Sequence, residues 1–134
     1  LAFAIAASAG RKPGATNFVE LNPFPVTGRL LARGQQRYTI YCAPCHGAIG
    51  DGNGITKKIG AMAIVANLHD KRIVELADGE LFNTVSNGKN NMQGYAPQIV
   101  VEDRWAIIAY LRALQLSRLG SVEDLAPETR AKLK

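Results

Sequence analysis

Apolar residues recur at three- and four-residue spacing in two long stretches of the chain, and that spacing predicts a helix in each. The first begins after Thr27, a candidate N-cap. Leu31, Gly34, Tyr38 and Tyr41 fall on one stripe there, so a helix is predicted over about 28–42. The second runs from about Val101 to Ser117, with Gly120 as its stop signal. Around its wheel, Trp105, Ile107, Ile108, Tyr110, Leu111, Leu114 and Leu116 spread nearly all the way round and leave a narrow polar stripe of Arg104, Arg112 and Gln115. A helix of that kind is expected to be buried on more than one side. Shorter helices are predicted around Lys71 to Ala77 and Gly79 to Ser86, the latter with an apolar face of Leu81, Phe82 and Val85 that Asn87-Gly88 ends. No strand alternation, internal repeat or heptad run is present, so the expected class is all-α.

The two ends read differently. "LAFAIAASAG" is apolar and small, but ten residues fall short of the roughly 20 that a membrane-spanning helix needs. The stretch reads either as the end of a signal or anchor segment, "ASAG" resembling a small-residue cleavage site, or as a loosely packed arm. Residues 11–28 carry three prolines and two glycines without periodicity and read as an extended arm of the sort that follows a neighbour's surface. At the other end, "SVEDLAPETRAKLK" opens with the capping-box-like pair Ser121 and Asp124 and reads as a short amphipathic tail or second docking arm. The expected organisation is therefore an N-terminal arm over 1–27, one domain over 28–118 and a tail over 119–134.

One core suits a chain of 134 residues with 47% hydrophobic content. The formal charge of +5 would suit nucleic acid, an anionic membrane or an acidic protein. The basic residues are scattered, however, in runs no longer than two and without interleaved aromatics, which argues against nucleic acid.

The chemistry sits in "YCAPCHGAIGDGNG", residues 41–54, which holds both cysteines of the chain and one of its two histidines. The C-x-x-C spacing puts two thiols on one side of a helical turn, and His46 follows directly after Cys45. This suits covalent haem attachment, each thiol adding to a vinyl group while the imidazole takes one axial site on iron. Three other readings compete. Zinc would need His69 as a further ligand and would have to use the adjacent Cys45 and His46. A thioredoxin-like pair would need a βαβ context, and a structural disulfide would close too small a loop to stabilise much. For the sixth iron position, Met92 stands in a polar loop ahead of the last helix, while Met62, His69 and an open site, as in a haem enzyme or sensor, are the rivals. Met62 reads as packing within "AMAIVA". Gly34 and Tyr38 on the first long helix, facing Trp105, Tyr110 and Leu111 on the last, form a small-plus-aromatic set suited to a close crossing.

These residues resemble class I c-type cytochromes over about 28–118: the Cys42-Ala43-Pro44-Cys45-His46 motif, a glycine loop "GAIGDGNG", Met92 where a distal ligand belongs, and a terminal helix from Trp105 to Leu114. The resemblance implies N- and C-terminal helices packed across one covalently bound haem c, with the glycine loop under the ring. More narrowly, "NPFPVTGRLLARGQQRYTIYCAPCHG", "DGELFNTVSNGKNNMQGY" and "DRWAIIAYLRALQLS" resemble the mono-haem subunit of alternative complex III, a bacterial quinol-oxidising membrane complex. That implies an electron-transfer subunit rather than an enzyme in its own right, docked on a multihaem cytochrome subunit. It would pass electrons to a periplasmic carrier or an oxidase at the outer face of the membrane. The chain departs from the family at "VANLHD", where Ala66 and Asn67 replace a proline whose carbonyl can orient the ligand histidine. The expectation is that some other carbonyl takes that role.

Overall fold

The computed structural model describes residues 2–12, 17–119 and 122–133. Its elements in chain order are α1 (Ala2–Ala9), α2 (Gly28–Tyr41), α3 (Ala43–His46), α4 (Ile55–Lys58), α5 (Lys71–Val74), α6 (Asp78–Asn87), a hairpin of β1 (Gly88–Lys89) and β2 (Met92–Gln93), α7 (Val101–Ser117), a 3₁₀ turn (Val122–Asp124) and α8 (Pro127–Ala131). The protein is thus mostly helical, as expected. The hairpin, two residues to a strand, is too short to show an alternation in sequence. The expected short helix from Lys71 ends at Val74 instead of Ala77, and Asp70 starts it by accepting from Arg72 N. Both Ser121 and Gly120 lie outside the described residues.

α2 starts where its cap requires: Thr27 is extended, and its side chain accepts from Leu30 N. The helix crosses α7 at Gly34, where a Cβ would meet the Ala106 carbonyl oxygen at 2.0 Å. Only glycine lets the two backbones approach so closely. Tyr38, one turn further on, packs on Tyr110 with ring centroids 5.4 Å apart. Trp105 and Leu111, expected on this same crossing, instead join Ile73, Leu81 and Phe82 in the cluster under α6. There Trp105 stacks on Phe82 with centroids 4.1 Å apart. The reason is angular: residues 106 and 110 lie on the face that meets α2, and 105, 108 and 111 turn toward α6.

α7 is buried nearly all round, and its polar stripe is internal. Arg104 donates to Ser86 Oγ at 2.5 Å and lies over the Phe82 ring, 4.9 Å from its centroid. Arg112 pairs with Asp78 Oδ1 at 2.7 Å and also donates to the carbonyls of Val74 and Leu76. Gln115 accepts from Arg112 at 2.9 Å and donates to Leu68 O at 2.8 Å. Arg112 and Gln115 therefore face carbonyls that need donors, Arg104 faces α6, and Leu116 is left 65% exposed.

At the N-terminus the loosely packed alternative is corrected. Residues 2–9 form a helix docked on the body: Ala6 and Ala7 are buried, and the Trp105 indole donates to Ala7 O at 2.7 Å. The described residues of the following arm bond to their own chain. Asn22 donates from its side chain to Trp105 O and from its backbone to Asp78 Oδ2, each at 2.9 Å, and Gly79 N donates to Val19 O. The bond from Gly79 N, with that from Asp78 N to Glu20 O, satisfies the start of α6, whose cap residue Ala77 offers no side-chain acceptor.

A Gly34→Ala variant is expected to lose about 3 kcal/mol in denaturant unfolding because its methyl group meets a backbone carbonyl. Gly28→Ala, with open space around the new Cβ, is expected to leave stability unchanged or raise it by up to about 1 kcal/mol.

Candidate haem site

Residue 42 ends α2 and starts α3, so the two thiols and the imidazole stand on a single tight turn joined to the crossing helix: Cys42 N donates to Tyr38 O, and His46 N to Cys42 O, each at 2.8 Å. Cys42, Cys45 and His46 all line one cavity of about 580 Å³, whose wall also includes Met92. That volume falls in the range of small-molecule and cofactor sites. Leu68, Ile73, Leu81, Ile107, Ile108 and Leu111 supply much of the apolar lining.

His46 Nδ1 lies 3.0 Å from the Ala66 carbonyl oxygen. The expected replacement carbonyl is therefore that of Ala66 itself. Any residue has a backbone oxygen, so losing the proline changes the stiffness of the segment and not the identity of the acceptor atom. With Nδ1 donating to Ala66, Nε2 is the nitrogen left to ligate. Burial lowers the His46 pKa below its ordinary value, with the Ala66 bond acting in the opposite sense. The ring is thus neutral near pH 7, the form that binds metal.

The Cys42 thiol is pushed up to about 12, first by burial and then by the neighbouring Cys45. A buried thiol of this kind gives little thiolate at neutral pH, which disfavours a reactive redox dithiol. The two cysteines are not joined to each other in a disulfide. Among the described residues, no group of three or more His, Cys, Asp or Glu side chains converges to hold a metal ion. The apolar cavity, the paired thiols on its wall and the oriented neutral imidazole fit a covalently attached haem.

The rivals for the sixth position are separated. His69 is absent from the cavity wall, and its Nε2 lies 2.6 Å from Ile49 O. Met62 does line the cavity, with Sδ 3.8 Å from Cys45 Sγ, so it is more than loop filler. Met92 reaches the wall from β2, where it pairs with Lys89 across a two-residue turn whose Asn90 has φ 53°. Sequence reading treated this segment as plain loop; the Asn90-Asn91 pair is the signal that marks the turn.

The glycine loop serves a different neighbour from the one expected. None of residues 47–54 lines the cavity. The loop backs the C-x-x-C-H turn: Gly52 N donates to His46 O at 2.7 Å and Gly54 N to Cys45 O at 3.1 Å. A Cβ on Gly54 would meet Pro44 O at 2.2 Å. The close approach that glycine permits is to the turn's own backbone. Tyr38, wholly buried, closes the same region by donating to Gly47 O at 2.7 Å.

A C-x-x-C-H turn on the wall of an apolar cavity, between crossing first and last long helices, defines a c-type cytochrome domain. Residues 29–111 match the family described as "Cytochrome C oxidase, cbb3-type, subunit III", and the chain belongs to that family. A domain of this family implies covalently bound haem c and haem-based electron transfer. Among solved structures, a chain of the reducing HAO-like protein complex of Kuenenia stuttgartiensis is similar in fold, with 20% identity and a TM-score of 0.59 over 81% of this chain. This chain spans 54% of that one. No curated protein matches the sequence.

Tyr38→Phe leaves the Gly47 carbonyl without its hydroxyl donor and is expected to cost about 1 kcal/mol in unfolding free energy. Burial, followed by nearby Cys42, raises the Tyr38 pKa above the ordinary value of 10.0. The folded state thus holds this proton more tightly than the unfolded one. Its contribution to stability is complete below about pH 10 and is lost as pH rises beyond it. Stability measured between pH 8 and 11 should fall less steeply in Tyr38→Phe than in the parent.

Proposed function

We propose that the chain is a one-electron carrier holding a single haem c, with Cys42 and Cys45 as the thioether attachments and His46 and Met92 as the axial ligands. The observation that carries this reading is the convergence of these four side chains on one apolar cavity, one from the α2–α3 junction, two from α3 and one from the hairpin. When bound, the haem supplies the redox couple. The chain contributes the rest. Ala66 fixes the His46 ring, and the turn of the hairpin fixes Met92. Ile107, Ile108 and Leu111 keep water from the buried side. A His/Met pair favours a higher potential than a bis-histidine site.

For its setting, we propose a subunit of a membrane-bound quinol-oxidising complex at the periplasmic face. It would take electrons from a multihaem partner and deliver them to a periplasmic carrier or oxidase. The three quoted sequence stretches support this, and the similar solved chain comes from a multiprotein complex. No helix of the described residues is long and apolar enough to cross a membrane. A second reading, a freely diffusing carrier, rests on the same haem site without the partners.

Oxidised and reduced spectra of the parent and a Met92→Ala variant test the site. A weak band near ~695 nm in the oxidised parent, lost in the variant, is the expected signature of His/Met ligation. Its absence from the parent, or its survival in the variant, overturns the assignment of Met92. Gentle detergent extraction of native membranes tests the setting. Co-elution with quinol-oxidising activity is expected for a subunit, and recovery of all the protein in the salt wash as a monomer supports the free carrier.

A further inference from the structure

The Ala66 carbonyl that orients His46 belongs to a segment, residues 61–70, with neither helix nor strand, and Ala66 itself is exposed. Something must hold that oxygen in place for the imidazole to be held. Two residues on, Leu68 is tied from both sides: its N donates to Gly50 O at 2.8 Å, and its O accepts from Gln115 Nε2 at 2.8 Å. Gln115 is 6% exposed and belongs to α7, the most buried element of the molecule. Its own amide oxygen accepts from Arg112 Nη1, which fixes the amide orientation. Arg112 is anchored in turn by Asp78 and by the carbonyls of Val74 and Leu76, further along the same cavity wall.

We infer that Gln115 is a positioning residue for the iron ligand: through Leu68 it clamps the 66–68 backbone and so sets the strength of the His46 Nδ1–Ala66 O bond. A buried glutamine in the last turn of α7, its donor spent on Leu68 of the cavity wall and its acceptor on Arg112, has more to do than fill space. Donation from Nδ1 raises the basicity of the other ring nitrogen. A stronger bond favours the oxidised iron, and a weaker one raises the reduction potential. This inference rests on the proposal that His46 ligates haem.

Gln115→Glu separates the two ends of the clamp. The carboxylate keeps the acceptor for Arg112 and loses the donor to Leu68 O, at nearly constant volume. Measured on the purified holo-cytochrome, its reduction potential is expected to rise, and the His46 ring resonances to shift in the proton spectrum of the paramagnetic form. Asp103→Asn, which weakens the bidentate Arg33–Asp103 pair away from the cavity, serves as the control. It should lower the melting temperature and leave the potential unchanged. If Gln115→Glu lowers the melting temperature while potential and resonances stay at the parent's values, the positioning role is overturned and Gln115 is structural only. A potential that falls also overturns it. The parent spectrum keeps the two claims apart: if the parent lacks the signature of haem ligated by His46, the site assignment fails, whatever Gln115 does.

Discussion

The crossing of α2 and α7 at Gly34 is the constraint on which the rest of the structure depends. With the Ala106 carbonyl against the Gly34 backbone, the helices are locked at one point along their lengths. The positions of everything downstream then follow from helix geometry. Two turns beyond Gly34 the chain reaches Cys42. On α7, Ile107, Ile108 and Leu111 come to line the same cavity. A side chain at either crossing position would spread the helices and move the thiols relative to the wall they share.

A second constraint is the distribution of polarity. The apolar clusters shape the cavity but cannot hold a loop in register, since apolar contact is not directional. That task falls to a polar seam of Asn22, Asp78, Arg112 and Gln115, which ties the N-terminal arm, the start of α6 and the 68–76 wall to one face of α7. Burying Arg112 with Asp78 is not itself a large source of stability, because desolvation offsets much of the attraction. Its value is geometric: the guanidinium's remaining donors are spent on Val74, Leu76 and Gln115, so the pair directs backbone instead of merely neutralising charge.

Much of this was legible in the sequence, and the gaps have physical reasons. α2 and α7 were readable because periodicity and capping agree, with Thr27 giving the first boundary its partner atom. The C-x-x-C-H turn was readable because its spacing is itself the chemistry. The partners of the polar stripe were not legible because a wheel reports which residues share a face but not what covers it: Ser86 and Phe82 lie opposite Arg104, and main-chain carbonyls lie opposite Arg112 and Gln115. The hairpin was missed since two residues to a strand leave no alternation to count. Ala66 was passed over because an acceptor on the main chain carries no sequence signature, and the attention given to proline mistook a stiffening device for the hydrogen-bonding atom.

The N-terminal segment is tied into the body of its own chain. Small residues let α1 lie close over Trp105, whose indole needs an acceptor once buried and finds Ala7 O. The irregular stretch after it frees Val19 and Glu20 carbonyls and Asn22 for the N-terminus of α6, which lacks a capping side chain. The arm is therefore bound into the network that also holds the cavity wall, through Asn22 to Asp78 and from Asp78 to Arg112. A partner that docked by displacing it would have to replace those bonds and would disturb the wall beside His46. Docking on the intact arm, with its own hydrogen bonds kept, is the route the packing favours for a subunit.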